Sequence, residues 1–365
     1  MKKLYFLFFL PLITVAQAPA GYYDDANGLE GASLKTALKD IIDAQDDSNG
    51  QPFHDTSNTY GDLWDLYEVS DVRSDGFVWE MYSDCDFVFG TAAEGGDQDN
   101  GTGGNTECDK FNREHSFPRS WFGNDQNHPI FYDPFNVIPS DKKVNAERGN
   151  LAYGEVASAN YTSGNGSRRG SSAISGPTGN VFEITDEFKG DIARGFFYLA
   201  TRYQDDIGAW EANDSDGDSM LDGSSYQVFE QWALDMLYSW HANDPVSQKE
   251  IDRNNAIFNF QDNRNPFIDN PQYVDDIWFP LLSVNQTPLE EKVGIHPNPV
   301  SKGQFFITTQ LASVNLVIYD VLGNKIGAFK VENSQAINVS SYKSGLYLLK
   351  INTGERSLTK KLIIQ

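Results

Sequence analysis

Cysteine appears only twice in 365 residues, histidine five times and methionine four times. So few sulfur and imidazole groups exclude a disulfide-stapled scaffold and a zinc framework of the Cys/His type. Basic residues are scarce too: 28 Lys and Arg face 52 Asp and Glu, a formal net charge of −24. Taken alone, that balance argues against a polyanionic partner, which a basic patch normally meets. Beyond the N-terminal segment no apolar run is long enough to span a bilayer, so stable membrane insertion is not expected. Core-forming material is plentiful. With 39% hydrophobic and 13% aromatic residues, the chain cannot be wholly disordered and can hold one large domain and a smaller one.

The chain opens Met1-Lys2-Lys3, followed by an apolar run from Leu4 to Val15 and the small-residue stretch Ala16-Gln17-Ala18. That layout predicts a secretory signal peptide over residues 1–18, because the run is shorter than the roughly 20 residues of a membrane span. Export permits a disulfide, and Cys85 and Cys108, 23 positions apart around a Gly/Asp/Asn-rich stretch, are expected to form it. The charge is uneven: residues 296–365 carry eight Lys or Arg against three acids, a net of +5, which leaves −29 on residues 1–295. Together with the stretch NQTPLEEKV at 285–293, this predicts a large domain over 19–285, a linker over 286–292 and a small domain over 293–365.

Helical spacing of apolar residues marks Leu34, Leu38, Ile41; Ile192, Phe196, Leu199; Phe229, Trp232, Met236; and Ile251, Asn254, Ile257, Phe258. A strand-like piece, Phe77 to Tyr82, lies between the first and second of these. After the linker, Gln304 to Thr309, Val314 to Leu322, Ala336 to Val339, Gly345 to Ile351 and Leu358 to Ile364 read as short strands separated by turns. The fold class is therefore α+β: a mostly helical domain with a polar block in its middle, followed by a small all-β sandwich.

That block carries the chemistry. In Phe111-Asn112-Arg113-Glu114-His115-Ser116-Phe117-Pro118-Arg119-Ser120-Trp121 a carboxylate sits beside an imidazole. Neighbours on a regular strand point to opposite faces, so one site can use both only if the strand ends there, as Pro118 would favour. Residues 140–149 read as a short helix, with Ser140 as N-cap, Asp141 in the first turn and Gly149 in the left-handed position after the last. Asn145 and Arg148, three apart, share a face of it. Oxygen ligands at Glu114 and Asn145 suit a hard cation, Mg²⁺ best, and a histidine near its ordinary pKa could take a proton from an attacking water.

The series Asn112-Arg113-Glu114-His115 with Pro118, then Asn136, Pro139, Asn145, Arg148 and Asn150, resembles the active-site segment of endonuclease I family nucleases. The likeness continues through Ile192-Ala193-Arg194-Gly195, Trp240 to Val246, Arg253-Asn254 and Gln261 to Phe267, and so covers most of residues 20–280. It implies a ββα-metal nuclease core, His115 as general base, Glu114 and Asn145 as Mg²⁺ ligands, and cleavage of DNA and often RNA to 5′-phosphates. Asn112, Arg113, Asn136 and Asn150 fall in supporting positions, and Arg119 and Arg148 are both candidates for neutralising the scissile phosphate. Two departures stand out. Phe135 precedes Asn136 where many relatives have His, and the segment from His115 to Asp133 is short.

The tail resembles a type IX secretion sorting domain, through His296-Pro297-Asn298-Pro299-Val300, Ile318 to Gly323, Ser344 to Lys350 and the closing Lys360 to Gln365. It implies passage through the type IX machinery and release or attachment outside the cell. Asp214, Asp216, Asp218 and Asp222 alternate in the style of a Ca²⁺ loop but lack the Gly and Glu such loops use at positions six and twelve, so a structural Ca²⁺ competes with a solvated acidic loop. His54, His128 and His241 show no metal-like spacing. The reading as a whole is a secreted Mg²⁺-dependent endonuclease acting on DNA, with RNA as a further substrate. Its rival is a surface-displayed binding protein that has lost catalysis, against which the intact Glu114, His115 and Asn145 set speaks.

Overall fold

The structure is a computed structural model, and it describes residues 18–43, 57–177, 179–284, 293–309, 313–320, 324–332, 335–352 and 357–365. The expected signal peptide and linker lie almost wholly outside the described residues, as do His54 and the last two residues of the expected strand 314–322. The chain divides into two compact units, Met1–Pro280 and Leu281–Gln365. Among the described residues, no helix is long and apolar enough to cross a membrane.

The first unit holds helices α1 (Gly31–Ile42) and α2 (Leu63–Ser70), strands β1 (Phe111–His115) and β2 (Val137–Asp141), and helix α3 (Lys142–Arg148). A sheet of β3 (Val156–Thr162), β4 (Arg168–Ser172) and β5 (Asn180–Glu183) follows. Next come α4 (Lys189–Arg202), the one-turn α5 (Ser215–Asp218), α6 (Gln231–Asn243), α7 (Gln248–Gln261), the short α8 (Pro266–Asp269) and α9 (Tyr273–Val284). Helix α4 is the hub. Twelve of its fourteen residues are buried, Lys189, Arg194 and Arg202 among them, and α1, α6 and α8 pack on it.

Its two central arginines are neutralised by distant carboxylates: Arg194 Nε meets Glu250 Oε1 at 2.5 Å, and Arg202 bonds Asp133. Glu250 also completes the capping box of α7. It accepts from Ser247 N at 2.8 Å while Ser247 Oγ accepts from Glu250 N at 3.2 Å, so one side chain both starts α7 and ties it to α4.

Phe77 to Tyr82 is not a strand. Only an isolated bridge, Val72 to Val78, forms there, because the buried Glu80 carboxylate takes the backbone N–H of Tyr82 (2.7 Å) and Ser83 (2.8 Å) that a ladder would need. The expected cap of α3 also moves by one residue. Ser140 lies within β2, and Asp141, its last residue, is the N-cap, its Oδ1 accepting from Lys143 N (2.8 Å) and Val144 N (3.1 Å). A carboxylate at that position adds the helix-dipole term to the hydrogen bonds.

The named strands of the second unit pair antiparallel, and Val300 and Ile364 add an isolated parallel bridge. Strands β6 (Val293–His296), β7 (Gln304–Thr309) and β10 (Gln335–Asn338) form one sheet, ordered β10-β7-β6. Strands β8 (Val314–Tyr319), β9 (Lys325–Val331), β11 (Gly345–Asn352) and β12 (Ser357–Ile364) form the other, ordered β12-β11-β8-β9. Alternate residues of both, among them Phe305, Ile307, Leu316, Ile318, Leu349 and Ile351, share one apolar core.

Cys85 and Cys108 are joined, and the loop they close is tied to α3, because Cys108 N donates to Asp141 Oδ2 at 2.7 Å. Replacing both cysteines by serine should lower the unfolding free energy by about 3 kcal/mol, the loop-closure value for a ring of this size. Denaturant melts of the oxidised chain and the variant check it, and an unchanged midpoint would show that the loop is held without the bond.

Candidate active site

Strands β1 and β2 pair antiparallel with Glu114 opposite Ile138 and His115 opposite Val137, and β2 runs directly into α3. Alternation puts Asn112 and Glu114 on one face of β1 and Arg113 and His115 on the other. β1 ends at His115, where the next amide, Ser116 N, turns to Asn136 O at 2.9 Å.

Arg148 holds that ending in place. Nη1 donates to Glu114 Oε1 (2.8 Å) and to His115 O (2.9 Å), Nη2 to Ser116 O (2.7 Å) and Nε to Leu151 O (3.1 Å). The guanidinium lies 4.6 Å from the Tyr153 ring centre and is wholly buried. Tyr82 adds an O–H to Glu114 Oε1 at 3.1 Å and pairs with Tyr153 Oη at 2.5 Å. Burial raises the Glu114 carboxyl above its ordinary pKa, with the Arg148 charge working against that rise.

His115 is 5% exposed, and its Nε2 lies 2.9 Å from Phe131 O. A carbonyl can only accept, so Nε2 carries the hydrogen and Nδ1 holds the lone pair of the neutral ring. Burial, opposed by the Phe131 bond and reinforced by the Arg119 and Arg113 charges, depresses the imidazole to about 3. The ring is therefore neutral at neutral pH, and a weaker base than the histidine of ordinary pKa expected from the sequence. Tyr60 stacks on it (centroids 5.5 Å, 22°), and Phe131 and Phe122 lean in at 5.1 and 6.0 Å.

On the other face of β1, Asn145 Nδ2 donates to Asn112 Oδ1 at 3.0 Å. With its nitrogen committed, the Asn145 amide turns its oxygen elsewhere. Asn136 is a fully buried brace: Nδ2 donates to Ile130 O (3.0 Å) and Oδ1 accepts from Phe117 N (2.8 Å). Asn150 is exposed and contributes its backbone carbonyl, to Trp121 Nε1 at 3.2 Å. Arg119 is exposed, 5.1 Å from the Phe131 ring centre. Of the two phosphate-binding candidates, Arg148 is corrected by its burial: a side chain with no open surface and acceptors on all three nitrogens cannot also meet a substrate.

The acidic stretch folds otherwise than a cation loop. Asp214 caps α5 through Asp216 N at 2.9 Å, and Asp222 accepts from Ser224 N at 2.8 Å. Among the described residues the one close group of three His, Cys, Asp or Glu ligands is Cys85, Cys108 and Asp141, whose sulfurs are spent in the disulfide. His128 lies 3.4 Å from Asp206 and His241 3.5 Å from Arg194, both away from this site. The aromatic frame of Tyr60, Tyr82, Phe131 and Tyr153 was not read from the sequence, since no period or motif ties these rings to His115 and Glu114.

The family model described as Endonuclease I matches residues 30–272. The chain belongs to the endonuclease I family. A second model, the secretion system C-terminal sorting domain, matches residues 294–365. An extracellular ribonuclease of Bacillus subtilis (strain 168) is 31% identical over 264 residues, 70% of this chain and 78% of the relative. Another, of Bacillus amyloliquefaciens, is 29% identical over 272 residues, 73% of this chain and 81% of the relative. This member of the endonuclease I family is thus a nuclease, and its type IX sorting domain makes it a secreted or surface-displayed one, as the sequence motifs implied.

Removing the Arg148 guanidinium takes a donor from a buried carboxylate and from three backbone carbonyls. Arg148→Met should destabilise the nuclease by roughly 3–5 kcal/mol, the cost of breaking a buried pair by losing one partner. Thermal and urea unfolding measure it, and a loss below about 1 kcal/mol, the scale of an exposed pair, would show that the clamp is not holding the strand end.

Proposed function

We propose that the chain is a Mg²⁺-dependent, sequence-non-specific endonuclease with a ββα-metal core built from β1, β2 and α3, cutting DNA and RNA to 5′-phosphate products. The observation that carries this reading is the tautomer of His115. Phe131 O holds Nε2, so the unprotonated Nδ1 is left for chemistry, one residue from a buried carboxylate.

The donors fit a hard cation. Both side-chain donors to Glu114 land on Oε1 and the Asn112 bond uses the Asn145 nitrogen, so Glu114 Oε2 and the Asn145 oxygen are the atoms proposed to hold the cation. Bound there, Mg²⁺ would neutralise the charge that grows on the phosphate and the departing oxygen. His115 Nδ1 takes the proton of the attacking water, and the phosphorus to 3′-oxygen bond breaks with that oxygen protonated from solvent. Arg119, exposed and beside the Phe131 ring, binds the scissile phosphate. The nucleophile is water and not the sugar, so the reaction has no need of a 2′-hydroxyl. Both DNA and RNA follow as substrates, in keeping with relatives named extracellular ribonucleases.

Plasmid and RNA digestion should require Mg²⁺, stop with EDTA and return when Mg²⁺ is restored. His115→Ala should lose at least about a hundredfold in turnover, and Glu114→Gln or Asn145→Ala should raise the Mg²⁺ concentration for half-maximal rate. Near-normal cleavage by a folded His115→Ala protein would remove the base assignment, and an unchanged Mg²⁺ requirement in both ligand variants would place the metal elsewhere.

Residues 19–285, 286–292 and 293–365 are proposed as nuclease domain, linker and sorting domain, the last contributing nothing to chemistry. A chain shortened to residues 19–292 should digest DNA at a rate close to that of the longer protein, and in the native host should stay in the periplasm. Folded but inactive protein would make the tail part of the substrate groove; normal appearance in the medium would end the sorting assignment.

A further inference from the structure

Arginine in this protein is almost everywhere neutralised. Arg73 pairs with Asp75 and Asp86, Arg148 with Glu114, Arg168 with Glu183, Arg169 with Glu147, Arg194 with Glu250, Arg202 with Asp133, Arg253 with Asp71 and Arg264 with Asp269. With 52 Asp and Glu in the chain, a carboxylate is easily found. Among the described residues only Arg113 and Arg119 have no carboxylate partner, and they flank the same imidazole.

Their seats are specific. The Arg113 guanidinium lies 3.6 Å from the Tyr60 ring centre and 4.5 Å from that of Trp64, and its Nη1 donates to Tyr60 O. Arg119 lies 5.1 Å from the Phe131 ring centre. Tyr60 and Phe131 are in contact at 4.8 Å, and each also touches His115, at 5.5 and 5.1 Å. Two unpaired cations thus stand on two adjoining rings around one base. Stacking on tyrosine and tryptophan fixes the plane of a guanidinium, and with Nη1 donating to Tyr60 O the N–H groups of Nη2 and Nε are the ones that fit a phosphate. Leaving two like charges side by side is unfavourable unless an anion joins them.

We propose that Arg113 binds a second phosphate of the same strand, next to the scissile one held by Arg119, so that the site takes a polynucleotide with at least two consecutive phosphates and not an isolated phosphodiester. This rests on the endonuclease reading above and gives its substrate a minimum length.

Two measurements test it. For the unaltered chain, kcat/KM should rise at least about tenfold, the worth of one charge-assisted hydrogen bond, from a dinucleoside monophosphate to a trinucleoside diphosphate. Arg113→Met, which keeps an apolar stem between the rings, should shrink that step. Binding of a labelled single-stranded oligonucleotide in EDTA, where no cleavage interferes, should show a slope of log K against log salt that falls by about 0.7 in Arg113→Met, the share of one phosphate on a single strand. Arg113→Lys should restore the slope, which a merely structural role would not do. No step with length in the unaltered chain, or an unchanged slope in a folded Arg113→Met protein, overturns the proposal. If the chain cleaves nothing with Mg²⁺, the endonuclease reading fails, while the slope in EDTA still decides whether Arg113 holds a phosphate.

Discussion

Arg148 and Glu114 meet at 2.8 Å with 0% and 6% of their side-chain surfaces open, and the geometry of the site follows from how that pair is solvated. Taking both charges out of water costs several kcal/mol per ion, which the mutual attraction offsets only if the remaining hydrogen-bonding groups are also met. Here they are met by the chain itself. The carbonyls of His115, Ser116 and Leu151 accept the other N–H groups, and Tyr82 gives the carboxylate a second donor. The pair cannot be satisfied unless residues 114–116 leave the strand in this conformation. The strand ends there, which is the condition under which Glu114 and His115, on opposite faces by alternation, can serve one site. A buried ion pair is weak as a source of net stability but effective in selecting one backbone path, and selection is what the two neighbours proposed for the site require.

A second support reaches the site from the other side. The Cys85–Cys108 loop donates Cys108 N to Asp141, Asp141 caps α3, and α3 presents Asn145 to Asn112 on β1. The two oxygen donors proposed for the metal are thus fixed by unlike means, Glu114 by a buried cation and Asn145 by a capped helix anchored to a covalent loop. Neither arrangement waits for substrate, so preorganisation here is a property of the fold.

Much of this was legible in the sequence where it is local. The cores of α1 and α4 follow their apolar periods, whereas α7 buries Glu250, Arg253, Asn254 and Gln261 beside Ile257; the Cys85–Cys108 bond follows from export and spacing, and Asn112 to His115 with Asn145 and Arg148 marked the proposed site because several segments agreed in order. The misses share one cause, competition from side chains distant in sequence or unexpected in role. Glu80 takes the amides of Tyr82 and Ser83, so an alternating stretch fails to become a strand. Asp141 outcompetes Ser140 as cap because its carboxylate can serve Lys143, Val144 and Cys108 together, whereas the Ser140 hydroxyl turns to Asp141 O. Arg148 looked like a phosphate ligand because nothing local says that Glu114, 34 positions away, will claim it. Tyr60 lies 53 positions before Arg113, and its role as a platform is visible only once β1 and the segment before α2 are side by side.

The strong acidity remains the physical puzzle for an enzyme whose substrate is a polyanion. A net charge of −24 sets up a repulsive long-range field, so association should be slower than for a basic nuclease and should quicken as salt screens that field. Within a Debye length of His115 the balance differs. Arg113 and Arg119 stand unpaired, Glu114 is neutralised by Arg148, and a bound divalent cation would add two positive charges. The distribution separates two tasks that a uniformly basic surface would merge: the bulk of the molecule is kept off nucleic acid, and attraction is confined to the few ångströms in which a phosphate is already aligned. Strand sequence plays no part in contacts made to the backbone, so the phosphate contacts proposed for Arg113 and Arg119 accord with the proposed cleavage without sequence preference.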